Sequence, residues 1–222
     1  MGLPLTSVTL MTQFIDLRIA VPMLVIPILA TNFFQAIRGG NAHLIISQYW
    51  SLIVPACVFT FAGVFILMHF DTALIILILG TVITVYALIN IFAFRVSVSQ
   101  AHKFWLSPVT GTAAGLMAGM TGVIAIPTMI YFQALGLKKD LFVQALGITF
   151  FIAGIFLLLA LWQKQILNLN NLPISALAML PAIAGMYMGE KIRRFISEEK
   201  FRIGVFLFLA LAGLNLVRKA LF

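Results

Sequence analysis

Four stretches of this chain, 45–68, 72–94, 104–137 and 141–163, each run past twenty residues without one Lys, Arg, Asp or Glu. A helix needs roughly 20 apolar residues to cross the hydrocarbon of a bilayer. Backbone amides find no water there, so such runs must be helices or be buried inside protein. Only 9% of the residues are charged against 63% apolar, where a soluble domain carries about 25% charged. The expected class is therefore all-α: a polytopic transmembrane helical bundle embedded in a lipid bilayer.

The net charge of +8 does not point to nucleic acid, because the basic residues sit in short connections between apolar runs. That distribution reflects membrane topology and anionic headgroups. Cys57 is the only cysteine, which excludes disulfides and cysteine-rich metal sites. His43, His69 and His102 are scattered near helix ends. Neither a metal cluster nor a nucleophile beside a base is visible, so the chain is not expected to be an enzyme or to carry a cofactor. Nothing before residue 14 resembles a cleavable signal peptide, and the match of residues 1–6 to a myristoylation pattern is a coincidence in a multispan chain.

Charges and breakers predict spans near 19–37, 44–68, 72–94, 108–134, 141–163, 173–189 and 201–222, after a shorter apolar piece at 3–14. No connection is long enough for a soluble domain. A shift of about 120 residues superposes one half of the chain on the other: Phe14 falls on Ala134, Pro27 on Gly147, and Gly63 on Gly185 at a shift of 122. The division is a first transmembrane repeat at 1–103 and a second at 104–222. The second repeat has a helix before its matched glycine and the first has none, so a start upstream of Met1 is expected. If 108–134 crosses once, basic residues divide eight to six between the two sides. If 3–14 and 108–134 are re-entrant, the division is ten to four and the repeats are inverted.

The segment 111–127 carries the most chemistry. Gly111, Gly115 and Gly119 recur every four residues and line one helix face, which admits a neighbouring backbone closely. Gly122 leaves that spacing and Pro127 follows; proline removes an amide and clashes with the carbonyl four residues back. A helix broken around 121–126 is expected. Unwound backbone inside a membrane is tolerated only within protein or beside a wet cavity, and broken helices at matching places in two repeats point to a transport site. The new helix would aim its amides at an anion. On this basis Gly119, Thr121, Gly122 and Pro127 form one candidate half-site, and Gly2, Pro4 and Ser7, at the matching depth, the other. Asn32, Gln35 and Gln144 are mid-span amides that would supply donors. No charged residue lies at the centre of a span, and Asp16, Asp71 and Asp140 are interfacial, so neutral groups would hold a small anionic substrate.

These stretches resemble the sulfite exporter TauE/SafE family of membrane transporters. The likeness rests on Gly115, Gly119 and Gly122 with Pro127 and residues 135–137; on Gly185, Gly189, residues 193–197 and Gly213; and on Gly2, Pro4, Pro22, Pro27, Asn32 and Gln35. It implies about eight spans in two halves, an N-terminal shortfall here, and movement of sulfite, sulfonates or related anions across the bacterial inner membrane. A homodimer is compatible with it. Val123, Ile124 and Ala125 stand where related second repeats carry more glycine, a departure that bears on substrate identity. The alternative is a non-transporting scaffold or degenerate paralogue.

Overall fold

The computed structural model of this chain describes residues 3–37, 39–92, 102–168, 172–193 and 197–221. Among them every regular element is a helix: α1 Leu3–Phe14, α2 Leu17–Ile37, α3 Ala42–His69, α4 Thr72–Ile91, α5 Lys103–Thr121, α6 Ala125–Ala134, α7 Lys139–Gln163, α8 Leu172–Leu177, α9 Met179–Arg193 and α10 Glu198–Leu221. The bundle has five helices long and apolar enough to cross a bilayer, namely α2, α3, α4, α7 and residues Ile203–Leu221 of α10. The other two expected spans are built from pieces. Residues 108–134 divide into α5 and α6, and residues 173–189 divide into α8 and α9.

Two ends of the bundle can be told apart by contacts. At one end Arg18, at the head of α2, donates from Nε to the Leu67 carbonyl and from Nη2 to that of Phe70, both at 3.0 Å. These carbonyls close α3, where helices leave acceptors unpaired and favour a cation. Asp16 accepts from the Arg18 amide at 2.7 Å and Asp71 from the Ala73 amide at 3.0 Å. The interfacial carboxylates at 16 and 71 thus serve as N-caps. At the other end Gln144, near the start of α7, donates to the Ala36 carbonyl and accepts from the Asn41 amide, so α2 and α7 run antiparallel. The α4–α10 pair is also antiparallel: a Cβ on Gly80 would meet Val217 N at 3.0 Å, and one on Gly213 would meet Thr84 N at 3.1 Å.

The glycine line of α5 lies on α3. Added Cβ atoms at Gly111, Gly115 and Gly119 would strike the carbonyl oxygens of Leu52, Ala56 and Thr60 in turn, an in-step advance that makes the two helices parallel. Backbones this close maximise dispersion where lipid removes the hydrophobic drive between helices. The chain then reverses. Lys103, at the head of α5, holds its Nζ 4.7 Å above the Tyr49 ring, and Phe132, near the end of α6, packs on the same ring at 5.0 Å between centroids. The α5–α6 segment is therefore a re-entrant hairpin that leaves and returns at the Tyr49 end. Of the two topologies open to the sequence, single crossing of 108–134 is the one this geometry excludes.

Prolines explain the contact between α2 and α8. Pro27 has no amide for the Met23 carbonyl, and the Ser175 hydroxyl donates to it at 3.1 Å while accepting from the Ile26 amide at 3.3 Å. Elsewhere in-span hydroxyls turn back on their own helix, as Thr9, Thr60 and Thr84 do toward Leu5, Ala56 and Gly80.

Two outcomes check this architecture. In a Cys57→Ser background, cysteines at His102 and Lys139 will label from one side of the membrane and a cysteine at Lys164 from the other; labelling of 102 and 139 from opposite sides would exclude the hairpin. Gly115→Leu will lower the stability of detergent-solubilised protein by about 1–3 kcal/mol through overpacking, whereas Gly185→Ala, whose Cβ meets no described atom within 4 Å, will leave the melting curve in place.

Candidate functional site

The hairpin turns at residues 122–124, between two helices that share no axis. Gly122 closes α5 in the left-handed region, φ +72° and ψ 3°, with its amide bonded to the Ala118 carbonyl at 2.8 Å. Glycine adopts that conformation without the Cβ penalty other residues carry. Ile124 precedes α6, and Pro127 is the third residue of that helix. There its missing amide costs nothing, because first-turn amides have no intrahelical partner. The break expected around 121–126 is where the helix ends and restarts.

The hinge is enclosed by protein. Residues 117–126 are all buried, Thr121 to 1% exposure and Val123 to 0%. Gly119 faces the Gly63 Cα of α3, 2.6 Å from where a Cβ would sit. Opposite Gly122 stand Val8 of α1 and Val21 of α2, their methyl carbons within 3.8 Å of the point a Cβ would occupy. α1 thus has its second turn against the hinge and runs from it toward the Arg18 end, while α6 runs from it toward the Tyr49 end. α6 thus starts at the level where α1 passes, and the two run in opposite directions. Ser7, half-buried, neighbours Val8. Pro4 lies in the first turn of α1, and Gly2 is outside the described residues.

The candidate donors are differently occupied. Thr121 spends its hydroxyl proton on the Met117 carbonyl at 2.7 Å and accepts from the Val123 amide at 3.2 Å, stitching the first loop amide in place. Asn32 donates to Ile28 of its own helix at 2.8 Å. Gln35 packs its Cβ against Gly147, and Gln144 is committed to the α2–α3 connection at both of its amide atoms. The three amide side chains therefore do not converge on the hinge: Gln144 joins α7 to the α2–α3 connection, Asn32 turns back on its own helix, and Gln35 packs on the α2–α7 seam. What faces inward at the turn is backbone: the buried head of α6 at Ile124, Ala125 and Ile126, with the positive end of the helix dipole.

Three features were not singled out from sequence as parts of a site. Ser175 repairs the backbone of α2, across 149 and 152 residues of chain. The hydroxyls of Tyr131 and Thr149 are buried without a hydrogen-bond partner. A cavity of about 210 Å³ lies at the Arg18 end, lined by Arg18, Ile19, Pro22, Met23, Ile166 and Ile174 and by no residue of the hinge. Among the described residues no group of His, Cys, Asp or Glu could hold a metal.

The family model described as Sulfite exporter TauE/SafE matches residues 1–216. The chain belongs to the TauE/SafE family. No curated protein and no solved structure matches it. As a member, with five helices among the described residues long and apolar enough to span, it is a multi-pass membrane transporter of the bacterial inner membrane and not an enzyme.

Thr121 gives a direct check on the hinge. Thr121→Val removes the acceptor of the Val123 amide and will destabilise the fold by about 1–3 kcal/mol, the penalty of an orphaned buried donor. Thr121→Ser keeps the acceptor and will melt with the parent protein.

Proposed function

We propose that this transporter moves a small sulfur oxyanion, sulfite or a simple sulfonate, held at the hinge by backbone amides at the head of α6 together with the head of α1. The carrying observation is the left-handed break at Gly122, buried at the level of Gly63 in α3 and Val21 in α2, with the start of α6 after it and the second turn of α1 beside it. Helix heads bind oxyanions through free amides and a positive dipole end, and no fixed cation is needed.

In this proposal the chain consists of two inverted repeats, 1–103 and 104–222. Helices α1, α2, α3 and α4 correspond to α6, α7, α8–α9 and α10. The antiparallel courses of α2 with α7 and of α4 with α10 support it, since equivalent helices related by an axis in the membrane plane must point oppositely. Connections at the Tyr49 end would then carry ten of the fourteen basic residues and face the cytoplasm. Gly119, Thr121, Gly122 and Pro127 shape one half-site, Gly2, Pro4 and Ser7 the other, while Gln144 ties α7 to the α2–α3 connection and Asn32 and Gln35 shape α2 and its seam with α7. Val8 and Val21 close the hinge in this conformation, and their separation from Gly122 opens it.

Sulfite-driven flux in proteoliposomes tests the proposal. Gly122→Leu inserts a side chain at a positive φ and fills the space before Val8 and Val21; flux will fall to background while membrane insertion is retained. Undiminished flux in this variant removes the hinge as the site.

A further inference from the structure

Below the hinge, at the Tyr49 end, the two arms of the hairpin and α3 enclose a polar cluster that the hinge does not use. Lys103 and Ser107 are four residues apart on α5 and share a face. Lys103 places its ammonium over the Tyr49 ring at 4.7 Å rather than against a carboxylate. Ser107, 1% exposed, is bonded to Ser51 of α3 at 2.9 Å between hydroxyl oxygens. From α6 comes Tyr131, 4% exposed. Its ring meets Phe132 at 5.7 Å, and Phe132 in turn meets Tyr49 at 5.0 Å. Its hydroxyl lies within interaction range of Ser107, whose own hydroxyl is taken up with Ser51, and meets full hydrogen-bond geometry with no described group.

An orphaned buried hydroxyl is costly, and the same ring without it would fill the same space. A donor kept there, beside Ser107 and its partner Ser51, with the Lys103 ammonium over the neighbouring Tyr49 ring and paired with no carboxylate among the described residues, matches one ligand chemistry: a small oxyanion with several acceptor atoms and negative charge. We propose that Lys103, Ser107 and Tyr131 form a second oxyanion subsite at the mouth of the hairpin, through which substrate passes between the Tyr49 end and the hinge. The subsite rests on the transport reading given above for its role, though not for its capacity to bind. Tyr131 and Ser107 sit on opposite arms of the hairpin, so an anion bound between them would also tie α6 to α5.

Sulfite flux and sulfite-dependent thermal shift of the solubilised chain, measured together, decide it. Tyr131→Phe is expected to raise the KM for sulfite about tenfold, the loss of one hydrogen bond to a charged group, and to reduce the thermal shift, without lowering the melting temperature in the absence of anion. Lys103→Gln will behave alike. Tyr86→Phe is the control: its hydroxyl is already engaged with the Met129 sulfur at 3.3 Å, and its KM will stay with the parent. A parent protein that shows the thermal shift but no flux, with the shift lost in Tyr131→Phe, keeps the subsite and overturns the transport reading. A Tyr131→Phe protein with parental KM and parental shift overturns the subsite, its hydroxyl then serving a bound water only. No shift and no flux in the parent overturns both.

Discussion

Inside hydrocarbon a peptide group without a partner costs several kcal/mol, and the interior of this bundle is arranged around that constraint. A helix can be interrupted there only where each exposed amide and carbonyl is answered. At the α5–α6 turn the answers are local: Gly122 bonds back to Ala118, and Thr121 catches the Val123 amide. In α2, where Pro22 and Pro27 stand inside the helix, the answer comes from far along the chain, as Ser175 bridges Met23 and Ile26. The same rule accounts for hydroxyls folded onto their own helices. Among the described residues two buried hydroxyls, those of Tyr131 and Thr149, stand out as unanswered.

Enclosing the hinge requires neighbours to come unusually near, and glycine supplies that. On α5 three glycines meet carbonyls on three successive turns of α3, while Gly63 on α3 meets the α5 backbone in return. A Cβ at any of these places would push the arm outward and expose the turn to lipid. The glycine line thus has a consequence beyond packing energy, because it shields an irregular backbone that could not otherwise lie at this depth. The α4–α10 seam, with Gly80 and Gly213, repeats the device between two spanning helices.

The place of the break was legible in the sequence because its cause is local. Pro127 and the off-register Gly122 interrupt a helix wherever it is placed. The direction taken after the break was not, since one αL residue and two loop residues admit both a crossing and a return; the shared contact of Lys103 and Phe132 with Tyr49 decides it. Mid-span amides were visible as polar residues needing partners, but periodicity cannot tell a partner on the same helix from one on another. Asn32 found Ile28 and Gln144 found Ala36 and Asn41, so neither turns to the hinge. Ser175 was invisible for a related reason: an isolated serine in an apolar run has no signature until a proline-freed carbonyl is brought to it. The division of 173–189 into α8 and α9 does have a local cause: Pro181 is the third residue of α9, as Pro127 is of α6, and has no amide for the carbonyl of Leu177, where α8 ends.

Why the proposed hinge site should be neutral follows from the same energetics. A fixed cation beside the hinge would bind an oxyanion strongly but would itself be expensive when the site is empty, and its grip would slow release. Conduction requires binding favourable enough to enter and weak enough to leave. Amides at a helix head meet both needs: they are held by the fold at no cost of side-chain ordering, and their partial charges attract without trapping. On the proposed path the full charge of Lys103 stands at the periphery, where water reaches it, and only dipoles lie further in. Attraction is then strongest where the anion still keeps part of its hydration and gentlest where it has given most of it up, so the two subsites differ in charge because they differ in depth.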